Sequence, residues 1–83
     1  MIKYKYDFQL LIEGIDLEVD SIREYFDNNF DGDSTLIVGD DQLVKVHFHT
    51  NEPWVVLEYC SSLGQIYDIV IEDMVRQSIG LQG

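Results

Sequence analysis

Two segments of the chain alternate apolar and polar side chains with a period of two, the pattern of a strand with one buried face. In residues 3–13, one side is aromatic or aliphatic throughout: Tyr4, Tyr6, Phe8, Leu10 and Ile12. The other side of that segment carries Lys5, Asp7, Gln9 and Leu11. In residues 43–49, Val44, Val46 and Phe48 alternate with Lys45, His47 and His49. Both segments therefore predict strands of a sheet that covers a core with one face only.

Two helices are predicted between and after these strands. Asp16 is expected to be the N-cap of the first helix, followed by acidic residues that suit the positive end of the helix dipole. Its apolar stripe is Leu17, Ile22, Tyr25, Phe26 and Phe30. The second helix is predicted after Thr50, with Pro53 in its first turn and Gly64 at its C-terminal end. Its helical spacing is carried by Trp54, Leu57, Cys60 and Ser61.

Shorter β-rich runs at residues 34–38 and 66–71 complete the pattern, and the turn signal at residues 39–41 predicts a hairpin. The order strand, helix, strand, strand, helix, strand is that of the ferredoxin-like split βαβ fold. We therefore predict an α+β domain: a four-stranded antiparallel sheet with two helices on one face and the first and third strands in the middle. Residues 1–83 are expected to be one domain, with a core at 3–74 and a tail or linker at 75–83.

Composition excludes several functions. With 83 residues the chain has room for one core. Its net charge of −11 disfavours binding to nucleic acid or to an anionic membrane. No run of consecutive apolar residues approaches the length of a membrane-spanning helix. A single cysteine, Cys60, excludes an internal disulfide, and no leader is recognised, so a cytoplasmic location is expected.

His47 and His49 are the most specific chemical feature of the chain. Two imidazoles at i and i+2 on a strand project from the same face, as metal binding requires. Because the first and third strands are expected to be neighbours, Asp7 would join them, giving two imidazoles and a carboxylate suited to zinc or another divalent metal. On spacing alone, two histidines of this kind are more often simply polar residues that face outward; it is the addition of Asp7 that favours a metal site.

No catalytic motif accompanies this cluster. The six glycines form no phosphate loop, and the loop at residues 13–16 lacks the arginine of an anion cradle. An RNA-binding sheet would need outward aromatics and a basic surround. The acidic pairs at residues 40–41 and 72–73 are interpreted as turn or surface residues, and Cys60 as a small core residue. The chain by itself is therefore not expected to be an enzyme.

Several stretches are similar to a known family: residues 11–14, 36–40, 43–53, 57–59 and 69–74, above all the run Lys-Val-His-Phe-His-Thr-Asn-Glu-Pro. Over residues 4–77 the chain resembles the central domain of the catalytic subunit of bacterial fatty acid kinase, which is a dihydroxyacetone-kinase-like protein. The resemblance implies a non-catalytic domain that supports homodimer assembly. It also implies a flanking kinase domain that binds ATP and magnesium, and a fatty-acid-binding partner protein.

In that family the central domain holds a metal with a cysteine on its first strand and two histidines on its third. His47 and His49 match the histidines, whereas Asp7 stands where the cysteine is expected. Replacing a soft thiolate with an oxygen ligand should weaken or alter the metal preference. The alternative is a stand-alone ferredoxin-like module that binds a metal or a small ligand, with no kinase attached.

Overall fold

The computed structural model describes all 83 residues. Four strands and three helices follow one another as β1 (Tyr6–Glu13), α1 (Val19–Asn29), β2 (Gly32–Gly39), β3 (Leu43–Thr50), α2 (Pro53–Leu63), β4 (Gln65–Asp73) and α3 (Met74–Ser78). None of the three helices has the length and hydrophobicity of a membrane span.

The strands form one antiparallel sheet in the order β2-β3-β1-β4. The predicted fold class and the central position of β1 and β3 are confirmed. Asp40 closes the β2–β3 hairpin, since its carboxylate accepts hydrogen bonds from the backbone N–H groups of Gln42 and Leu43 at 2.9 and 3.0 Å. These bonds also lower the pKa of Asp40.

One face of the sheet and the inner sides of α1 and α2 form the core. Its strand residues are the ones that the alternation selects: Phe8, Leu10, Ile12, Ile37, Val44, Val46 and Phe48. Ile22 and Phe26 of α1 and Val56 and Cys60 of α2 pack on them. The rings of Phe26 and Phe48 meet edge to face at 5.1 Å between centroids, a favourable geometry for aromatic pairs.

Both helix predictions need correction in detail. Asp16 is not an N-cap: it has a φ of 56°, and α1 begins at Val19 after Glu18. The backbone N–H of Leu17 instead donates to the carbonyl of Asp41 at 2.9 Å, which ties this loop to the hairpin turn. In α2, Trp54 is 60% exposed, because Pro53, Val56 and Cys60 form the buried side.

The strand ends also differ from the prediction. β1 begins at Tyr6 and not at Lys3, although Tyr4 is buried and its hydroxyl donates to Asp31 at 2.6 Å. Both edge strands carry a β-bulge, with Ser34 at a φ of 55° and Asp68 at 51°. Bulges of this kind twist an edge and discourage pairing with another chain.

The face of the sheet opposite the helices is called the open face below. It is formed by the outward residues of the four strands: Asp33, Leu36 and Val38; Lys45, His47 and His49; Asp7, Gln9 and Leu11; and Tyr67, Val70 and Glu72. Its polar residues cluster at the end where β1 begins and β3 ends. Leu36 and Val70 lie in the next row across the sheet, on either side of His47 and Gln9. Val38 and Leu11 lie in the row beyond it.

Candidate metal centre

The structure brings Asp7, His47 and His49 together at the polar end of the open face. Strand pairing explains why: Asp7 of β1 lies directly opposite His49 of β3. His47 is two residues earlier on β3 and therefore projects from the same face. The buried residues on either side, Phe8 and Phe48, anchor the two strands in the core. The three polar side chains thus stand on rigid, central strands.

The three side chains converge on one point. The Nε2 atoms of His47 and His49 are 3.2 Å apart. Oδ1 of Asp7 lies 3.6 Å from Nε2 of His47 and 3.8 Å from Nε2 of His49. These last two separations are too long for hydrogen bonds. The carboxylate is instead steadied by long contacts from the Gln9 side-chain amide, at 3.4 and 3.5 Å.

These separations fit a single metal ion. A point equidistant from the three atoms lies about 2.1 Å from each of them, the length of a zinc bond to an imidazole nitrogen or a carboxylate oxygen. Two imidazoles and one carboxylate are a ligand set that suits zinc and other borderline divalent metals. The donor chemistry and the spacing therefore agree.

The site is partly accessible. The side chains of Asp7, His47 and His49 are 22, 27 and 24% exposed. Three protein ligands leave a tetrahedral ion one position short, and a water or a group from another molecule would complete it. An ion held here would therefore face whatever lies against the open face.

Two further carboxylates border the cluster, and sequence reasoning missed both. Asp33 of β2 lies opposite His49, and Glu72 of β4 lies opposite Asp7, so that Asp33, His49, Asp7 and Glu72 form one row across the sheet. Oδ1 of Asp33 is 3.7 Å from Nδ1 of His49. This concentration of negative charge favours a cation and repels phosphate. The pairing of β2 with β3 could have indicated that Asp33 lies near His49. The β-bulge in β2 shifts the register by one residue, however, and the sequence does not reveal that shift.

The other residues considered from sequence lie elsewhere. Cys60 of α2 is fully buried and is a core residue, as predicted. Burial raises the pKa of its thiol to about 12, so the thiol is unreactive. Asp40 serves the hairpin turn. Asp73 is the N-cap of α3, where it accepts a hydrogen bond from the backbone N–H of Arg76 at 3.0 Å. None of these three residues belongs to the Asp7–His47–His49 cluster.

Comparison with known proteins places the chain in a family. The family model for the FakA-like middle domain of fatty acid kinase matches residues 3–80. Protein YloV of Bacillus subtilis is 46% identical over 46 residues, which are 55% of this chain and 8% of that protein. An uncharacterized protein of Staphylococcus haemolyticus is 41% identical over 46 residues, with the same coverage of each chain. A further uncharacterized protein, from Staphylococcus aureus strain USA300, is 39% identical, again over 46 residues and with the same coverage.

Proposed function

Because this chain belongs to the FakA-like middle-domain family of fatty acid kinases, we propose that it is a non-catalytic assembly domain that binds a zinc-like metal ion on its open face. In a fatty-acid-kinase-like protein it would support dimerisation and the docking of the flanking kinase domain. The partner of the whole protein would be a fatty-acid-binding protein that presents the fatty acid for phosphorylation.

The observation that carries the metal proposal is the triangle of ligand atoms formed by Asp7, His47 and His49. Its sides of 3.2, 3.6 and 3.8 Å suit one ion bound to all three residues. Neighbouring strands hold two of the ligands in direct register. With oxygen in place of the thiolate that the resemblance implies, the site should bind zinc more weakly than a cysteine-containing site.

The assembly proposal is supported by the exposed aliphatic residues of the open face. Leu36, Val38 and Val70 are 49, 40 and 40% exposed there, and no helix of the domain covers them. A sheet normally buries such a face against another layer. We propose that a second copy of the domain provides that layer, and that the contact adjoins the metal site, because Leu36 lies opposite His47.

The non-catalytic proposal is supported by charge. Phosphoryl transfer requires groups that cradle and neutralise phosphates, and this domain has 16 acidic against five basic residues. We expect calorimetry with ATP and magnesium to show no saturable binding. Micromolar affinity for the isolated domain would contradict this part of the proposal.

The direct test of the metal site is a zinc titration measured by calorimetry. We expect one zinc per chain for the wild type and a loss of at least tenfold in affinity for His47→Ala. Lys45→Ala is the matched control, because Lys45 lies on the same strand and the same face without belonging to the Asp7–His47–His49 cluster. Equal zinc binding by the wild type and His47→Ala, or no binding by the wild type, would refute the metal site.

A further inference from the structure

Asp33 lies beside the Asp7–His47–His49 cluster without belonging to it. Its Oδ1 atom is 3.7 Å from Nδ1 of His49, the ring nitrogen on the far side from the cluster. The other ring nitrogen of His49, Nε2, is the one that lies 3.2 Å from Nε2 of His47 and 3.8 Å from Oδ1 of Asp7. His49 therefore has a carboxylate at each end of its ring, in two different roles.

The β-bulge of β2 puts Asp33 in this position. Asp33 pairs with His49, but the next outward pair is Leu36 with His47, so β2 uses one residue more than β3 between the two pairs. Ser34 takes up the extra residue with its φ of 55°. Its hydroxyl donates to Oδ1 of Asp33 at 3.3 Å. The bulge thus determines that Asp33 lies opposite His49, and Ser34 contacts its carboxylate.

A neutral imidazole carries its proton on only one nitrogen, and the hydrogen-bond partner of one nitrogen decides the state of the other. A carboxylate next to Nδ1 favours the tautomer with a proton on Nδ1, which leaves the Nε2 lone pair free. Because Asp33 is 60% exposed, a small rotation of its side chain can shorten the contact to the usual hydrogen-bond length of about 2.9 Å.

We propose that Asp33 is a positioning residue that holds His49 in the Nδ1–H tautomer and so directs its Nε2 lone pair to the metal. This inference rests on the proposed metal site. It also assigns the contact between the histidines in the metal-free protein: Nε2 of His47 donates and Nε2 of His49 accepts. Carboxylates behind metal-bound histidines act in this way and raise the basicity of the ligand.

The first test is zinc affinity measured by calorimetry. Asp33→Ala should weaken zinc binding about tenfold, at the low end of the range of about 10–100-fold for such residues, because Asp33 is partly solvated. The zinc affinity of Asp33→Asn should lie between those of the wild type and Asp33→Ala, since the amide oxygen still accepts a hydrogen bond from Nδ1–H of His49. Asp41→Ala is the control for the loss of one negative charge, because Asp41 is an exposed residue of the hairpin turn. If Asp33→Ala changes affinity no more than Asp41→Ala, the inference is wrong.

The second test is independent of zinc. Nitrogen-15 NMR of the histidine rings in the metal-free protein, at a pH where both are neutral, reports which nitrogen of His49 carries the proton. We expect Nδ1–H in the wild type and in Asp33→Asn, and a shift towards Nε2–H in Asp33→Ala. An unchanged tautomer in Asp33→Ala would overturn the inference. A wild type that binds no zinc would refute the proposed function, and this measurement would still decide the role of Asp33.

Discussion

Adjacent residues of β3 serve different purposes, and their substitution should have different consequences. Val46 and Phe48 are 0 and 2% exposed, whereas the side chains of His47 and His49 between and after them are about a quarter exposed. Substituting the histidines should therefore change metal binding with little loss of stability, and substituting their neighbours should do the reverse. Substitutions at the histidines therefore test metal binding, and substitutions at Val46 and Phe48 test folding stability.

The isoleucines at positions 12 and 15 offer a matched pair for the core. Ile12 is 0% exposed and Ile15 is 86% exposed. We expect Ile12→Ala to lower the free energy of unfolding by about 2–5 kcal/mol, through lost burial and the cavity left behind. Ile15→Ala should change it by less than about 0.5 kcal/mol. Urea denaturation of the two variants checks this, and similar losses for both would contradict the placement of the core.

Cys60 should make the domain less stable in alkali. Burial raises the pKa of its thiol from the ordinary 9.0 to about 12, so the folded state favours the neutral thiol more than the unfolded state does. The stability that this preference contributes to the folded state is fully present below pH 9.0, and it is lost as the pH rises from there towards 12. Denaturation at rising pH should show a smaller alkaline loss for Cys60→Ala than for the wild type. Parallel curves, or rapid reaction of the native thiol with a disulfide reagent, would show that Cys60 is accessible.

At the scale of the elements, α3 is fixed to the sheet at the junction with β4. The backbone N–H of Met74 donates to the carbonyl of Lys5 at 2.8 Å, and the Lys5 ammonium lies 3.4 Å from the Asp73 carboxylate. Asp73 also caps α3. The start of the segment that was predicted to be a tail or linker, residues 75–83, is therefore part of a short helix, α3. Asp73 is its main connection to the sheet.

Asp73 should contribute stability that is lost in acid. The hydrogen bond from the backbone N–H of Arg76, together with the Lys5 ammonium, lowers the pKa of Asp73 below its ordinary 3.8. A lowered pKa in the folded state gives stability that is present above pH 3.8 and disappears as the pH falls through the lowered value. Asp73→Ala should therefore be less stable than the wild type at neutral pH, and the difference should shrink in acid. Asp41→Ala, at an exposed carboxylate of the hairpin turn, is the control. A difference between Asp73→Ala and the wild type that does not depend on pH would contradict this prediction.

Alternation and turn chemistry were sufficient to predict the strands, their order and the meeting of Asp7 with the two histidines. Alternation fixes which residues face each side, and the split βαβ order makes β1 and β3 neighbours. The helix details were not accessible in this way. The position of Asp16 depends on the bond between Leu17 and the hairpin turn, and Asp33 depends on a bulge. Both are set by contacts between segments distant in sequence, which local patterns do not contain.

For the whole molecule, the aliphatic patch on one face of the sheet is expected to drive self-association, against the repulsion between two copies that each carry a net charge of −11. We predict a dimer through the open face. Val70 lies on that face, opposite Gln9. Val70→Glu should therefore break the dimer, because it places a charged group in the contact. Val55→Glu, on α2, should not, although the two valines are similarly exposed, at 40 and 38%. Sedimentation of the three proteins checks this, and a wild type that stays monomeric at high concentration would contradict it.

The proposed zinc site at Asp7, His47 and His49 is tested most directly by X-ray absorption at the zinc edge. For protein loaded with one equivalent of zinc, we predict nitrogen and oxygen ligands at about 2.0–2.2 Å, outer scattering from two imidazoles and no sulfur at about 2.3 Å. The imidazole scattering should weaken in His47→Ala. A sulfur ligand, or a hydrated ion without imidazole scattering, would contradict binding at Asp7, His47 and His49.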